Sequence, residues 1–95
     1  MDIKNSKEYI DYSEAKATIT LSRPLSIDGT KVPKVTMREP TVRDEMLARK
    51  TAGTDSADNE STLLANLCGI SKEDLQNMSL KDYRRLQEAF LGFLE

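Results

Sequence analysis

The chain has 95 residues and a mass of 10.7 kDa, room for one domain with a single modest core. Hydrophobic residues make up 38% and charged residues 32%, which excludes a disordered acidic tail. The longest apolar runs fall far short of the roughly 20 residues needed to span a bilayer, and 14 basic against 16 acidic residues give a net charge of -2 with the basic ones scattered, so neither a membrane nor a nucleic acid is expected as partner.

Residues 1–15 show no clear period. They alternate charges and lack the apolar stretch of a secretory signal, so the expected compartment is the cytoplasm. Tyr9, Ile10 and Tyr12 would share one face of a helical turn, and the segment reads as a flexible N-terminal arm ahead of a single domain over residues 16–95. From Ala17 the pattern changes. Ala17, Ile19 and Leu21 alternate with polar residues and form one face of a strand, which Pro24 is expected to stop. Asp28-Gly29 signals a tight turn with positive φ. A second strand runs from Lys31 to Arg38 with Val35 and Met37 on one face, and Pro33, having no amide donor, assigns it to an edge or an irregular start. Such a hairpin alone is marginal in water and must lean on the rest of the chain.

The remainder reads as helical. Thr41 stands three residues before Asp44, a near match to the capping box, and opens a helix from Val42 to about Ala52 with Val42, Met46 and Leu47 expected to face inward. Gly53 ends it. Residues 58–68 form the next helix, with Leu63, Leu64, Leu67 and Cys68 as its apolar stripe and Gly69 as its left-handed cap. Ser71 and Ser79 each precede an Asp by three and open a short turn and a final helix. Leu80, Tyr83, Leu86, Phe90 and Phe93 recur along that last helix at helical spacing. The fold class is therefore α+β, an N-terminal β-hairpin followed by three to four α-helices packed as a small helical domain.

The side-chain inventory excludes most catalysis. Without histidine there is no imidazole base and no Ser–His or Cys–His nucleophile. The glycines at 29, 53, 69 and 92 are dispersed, so no phosphate loop exists, and nitrogen or sulfur ligands for a metal are missing. Asp55, Asp58 and Glu60 lack the spacing of a calcium loop and read as acids at a helix start. Cys68 reads as a small buried hydrophobe. No cofactor is expected, and the chain reads as a non-enzymatic binding module.

The informative segment is the last one. Leu91 and Leu94 broaden the stripe of Leu86, Phe90 and Phe93 until the final turns are apolar nearly all round. A terminal helix either closes the core against the hairpin with such residues or presents them to another protein, and the two uses can occupy different sides. The candidate partner-binding residues are Phe90, Leu91, Phe93 and Leu94, with Tyr83 and Arg84 beside them.

Residues from about 17 to 93 resemble the tail assembly chaperones of Mu-like phages and related prophages. The matching stretches are Thr18-Ile-Thr-Leu-Ser-Arg-Pro-Leu25, the turn Asp28-Gly29, Val35-Thr-Met-Arg-Glu-Pro40, Thr41-Val-Arg-Asp44, Leu63-Leu-Ala-Asn-Leu-Cys-Gly-Ile70, and Leu80-Lys-Asp-Tyr83 leading to Phe90. The resemblance implies a chaperone in the host bacterial cytoplasm that binds the tape measure protein and keeps it soluble while the tail tube assembles. It also implies a longer frameshifted product of the same gene, and self-association is a further expectation. Two rival readings are a minor structural tail protein of the virion and a small regulatory adaptor or DNA-binding protein, the latter disfavoured by the charge balance.

Overall fold

The computed structural model describes residues 8–53 and 55–95. Three strands, β1 (Ile10–Ser13), β2 (Lys16–Ile27) and β3 (Thr30–Arg38), precede four helices, α1 (Val42–Ala52), α2 (Ser56–Cys68), α3 (Lys72–Gln76) and α4 (Leu80–Phe93). The α+β class is as the sequence implies, but the hairpin is one strand short. Residues 10–13, expected in a flexible arm, pair antiparallel with β2 so that the sheet order is β1-β2-β3. Residues 1–7 of that arm lie outside the described residues.

The register explains why β1 belongs. Ile10 sits opposite Ile19, which sits opposite Val35, and Tyr12 sits opposite Ala17, which sits opposite Met37. These rows put the strands' apolar residues on one face, the basis of sheet stabilisation. Ile19, Ala17 and Met37 are fully buried there. The β2–β3 turn has Asp28 at φ 51 and Gly29 at φ 80, the pair of left-handed residues that a tight hairpin demands.

Pro24 does not stop β2. The strand runs on to Ile27 because the register shifts between Thr20 and Leu25, and an irregularity is where a residue without an amide hydrogen is tolerated. β3, with Pro33, is an edge strand as its composition implies.

The helices cover the apolar face. Leu63, Leu64, Ala65 and Leu67 of α2 and Leu86 and Ala89 of α4 join the strand residues in one core. α2 starts at Ser56, two residues earlier than expected, because Asp55 accepts the Asp58 amide at 2.9 Å and serves as the cap. Gly69 closes it in the left-handed conformation at φ 67. Ser71 and Ser79 cap α3 and α4 by accepting from the amides of Asp74 and Asp82.

Candidate protein-docking surfaces

α4 is held by a carboxylate. Asp82, in its first turn, is fully buried and accepts hydrogen bonds from the Ser22 amide at 2.7 Å and the Arg23 amide at 3.3 Å. Both amides fall where the strand register shifts, so the side chain supplies acceptors that the neighbouring strand does not. Burial alone would raise the Asp82 pKa, but the hydrogen bonds from Ser22, Arg23 and Ser79 outweigh it and hold the group below the usual carboxylate range. Next to it, Arg85 donates to the Thr20 carbonyl at 2.7 Å and stacks 4.0 Å over the Tyr9 ring.

β1 fixes the other end. Tyr12 donates its hydroxyl to the Ala89 carbonyl at 2.9 Å and meets the Phe93 ring edge-to-face at 5.3 Å. Burial first, then the charges of Glu95 and Glu88, raise the Tyr12 pKa, so the hydroxyl keeps its proton and remains a donor. Phe93 is thereby engaged within the chain and only partly exposed.

The other predicted residues divide. Phe90 is half-buried and lines a groove of about 400 Å³ with Ala48, Leu63, Glu45 and Arg49, between α1, α2 and α4. Tyr83 donates to Glu60 of α2 at 2.7 Å, and burial and then Glu60 push its pKa above the ordinary tyrosine range. Leu91 and Leu94 are 57% and 62% exposed, and Arg84 is exposed beside them. Helical spacing places Leu80, itself 67% exposed rather than part of the inward stripe, on the same outer side as Arg84, Gln87, Leu91 and Leu94.

α1 presents the second surface, and here the expected orientation is reversed. Val42, Met46 and Leu47 are 78%, 65% and 50% exposed, whereas Asp44 and Ala48 point inward. The cause lies at the first turn. Arg38, at the end of β3, grips Asp44 with two hydrogen bonds of 2.6 and 2.7 Å, and Asp44 also accepts the Thr41 amide at 2.9 Å in a complete capping box. Those bonds, the Arg38 pair foremost, hold the Asp44 pKa far below the usual carboxylate range against the cost of burial. With Asp44 turned toward the sheet, Val42 and Met46 must turn away. A signal for this was present in the sequence: Arg43 and Lys50 share the helical face of Val42, Met46 and Leu47, and a core stripe does not interleave with cations.

Among the described residues the exposed large hydrophobics are Val42, Met46, Leu47, Leu80, Leu91 and Leu94, all on α1 or on α4 and its C-cap. No cluster of metal-ligating side chains converges among the described residues, and no described helix is long and apolar enough to cross a membrane. The acidic segment at 55–60 has structural partners: Asp55 caps α2, Asp58 pairs with Lys72, and Glu60 accepts from Tyr83 and Gln87. Burial pushes the Cys68 thiol up to about 12, so it stays protonated and unreactive at neutral pH. The arrangement is suited to covering apolar surface on another polypeptide.

A family model described as "Phage tail assembly chaperone proteins, E, or 41 or 14" matches residues 18–95. No curated protein sequence and no solved structure matches the chain.

Proposed function

The chain belongs to the phage tail assembly chaperone family, and from that premise we propose that it binds the tape measure protein and keeps it soluble while the tail tube assembles. The observation that carries this reading is the outer side of α4, where Leu80, Leu91 and Leu94 lie exposed around Arg84. Each leucine, already more than a third covered within the chain on average, gains roughly 1–2 kcal/mol when a client removes the rest of its area from water. The same helix is anchored by Asp82 and by Leu86 on its inner side, so its outer side can be covered without disturbing the core. The helix-in-groove mode, with anchors at helical spacing, fits such a surface.

The activity requires no catalysis. Arg84 and the neighbouring Lys81 keep the complex in solution and bias the orientation of the client. The protein acts in the host cytoplasm and is released before the particle is complete, which sets it apart from a minor virion component. Self-association and a longer frameshifted product sharing its N-terminal part belong to the same reading. Peptides from such a product in infected-cell lysate would identify the second form.

Co-expression with the tape measure protein of the same phage is the test. The wild-type chain is expected to keep that protein in the soluble fraction and to co-purify with it, and to be missing from purified particles. L91D/L94D is expected to fold, by circular dichroism, and to lose the complex. If that variant folds and still co-purifies with its client, the outer side of α4 does not carry the interaction.

A further inference from the structure

We infer that the outer face of α1 is a second docking site, selective for an amphipathic helix that carries carboxylates beside its apolar stripe. The inference rests on the chaperone reading and adds the chemistry of the client segment. Val42, Met46 and Leu47 together with Arg43 and Lys50 line an open trough of about 730 Å³. The apolar residues recur at i, i+4 and i+5, the spacing that receives the ridge of another helix.

Charge decides what kind of helix. The carboxylates of α1 are committed elsewhere, Asp44 to Arg38 on the inner side and Glu45 to Arg49 at 2.9 Å. Arg43 and Lys50 have no carboxylate within ion-pair distance among the described residues. Among the described residues the lining of the trough is thus apolar with two cations at its border and no carboxylate. A client helix flanked by lysines would bring like charges together, and one flanked by glutamates would supply the missing partners and approach faster at low salt. The mode of attachment fits this role. α1 is tethered by the Arg38–Asp44 pair and by Ala48, so its apolar residues are not needed to hold the domain together.

The experiment uses the isotopically labelled full-length protein and a pair of synthetic amphipathic helices with one leucine stripe, flanked by glutamates in one and lysines in the other. The glutamate-flanked peptide is expected to bind about tenfold more tightly or better, weakening with salt, with amide shifts centred on Val42, Met46 and Leu47. R43E/K50E is expected to reverse the preference, and M46A/L47A, which keeps the charges, to weaken both peptides. Equal affinity for the two peptides, an unchanged preference in R43E/K50E, or shifts confined to α4 would overturn the proposal. So would binding of wild-type protein to phosphatidylglycerol vesicles without binding of either peptide, which makes the face a membrane contact. A dimer dispersed by M46D and indifferent to peptide would equally overturn it, by making the occupant a second copy. The titration contains no tape measure protein. Failure of the peptide preference therefore counts against the α1 face alone, and failure of co-purification counts against the chaperone reading alone.

Discussion

Helices α1 and α4 begin alike and end up in different situations. Each has a hydroxyl residue as cap, Thr41 or Ser79, and an Asp three residues later that is buried. Asp82 reaches across to strand amides some 60 residues earlier, and α4 follows it into the core with Leu86 and Ala89. Asp44 reaches only to Arg38, six residues earlier, whose side chain is half exposed, and α1 buries little besides Ala48. A capping motif fixes where a helix starts but not how deeply it is seated. Depth follows from what the buried acid holds, and a helix seated by a pair with a half-exposed arginine keeps its apolar residues for others.

The contrast is most sharply tested by substitutions that unseat one helix or the other. Asp82→Ala leaves the Ser22 and Arg23 amides without acceptors and is expected to cost about 3 kcal/mol in denaturant unfolding, as is Leu86→Ala by opening a core cavity. Asp44→Ala removes the acidic half of a capping box and a pair with a half-exposed arginine, and about 1–2 kcal/mol is expected. A loss for Asp44→Ala as large as that for Asp82→Ala would erase the distinction drawn between the helices. Both carboxyls have folded-state pKa values below their unfolded value of about 4, so the stability they add is present above that pH and is lost as pH falls below it. Acid titration of stability is expected to show this loss and to show less of it in D82N. The smallest effects belong to the α1 face, where Met46→Ala and Leu47→Ala are each expected to change stability by about 0.5 kcal/mol or less.

What the sequence disclosed is what short-range chemistry decides. The Asp28-Gly29 turn, the caps at Thr41, Ser71 and Ser79, the stop at Gly69 and the inward position of Leu86 all follow from residues within a turn or two of one another. The features that local pattern does not show depend on distant partners. β1 was hidden because its turn places Glu14, not glycine, at φ 56, and because Tyr12 finds its partner at Ala89, 77 residues away. β2 passes Pro24 because α4 supplies Asp82 to the amides before it. The predicted docking set mixed residues that α4 uses internally, Tyr83 and Phe93, with Leu91 and Leu94 on its outer side, since helical period alone does not say which flank a neighbour covers. Val42, Met46 and Leu47 carry the spacing of a core stripe yet face outward, because the Arg38–Asp44 pair that turns them joins two separate elements.

Hydrogen exchange on the complex with the tape measure protein reports which surface the client covers. Protection is expected along α1 and the final turns of α4, around Met46, Leu47, Leu91 and Leu94, with the β3 edge from Thr30 to Arg38 exchanging as in the free protein. Protection confined to that edge, with both helices unchanged, would mean that the client adds a strand to the sheet and that the exposed helical faces play no part.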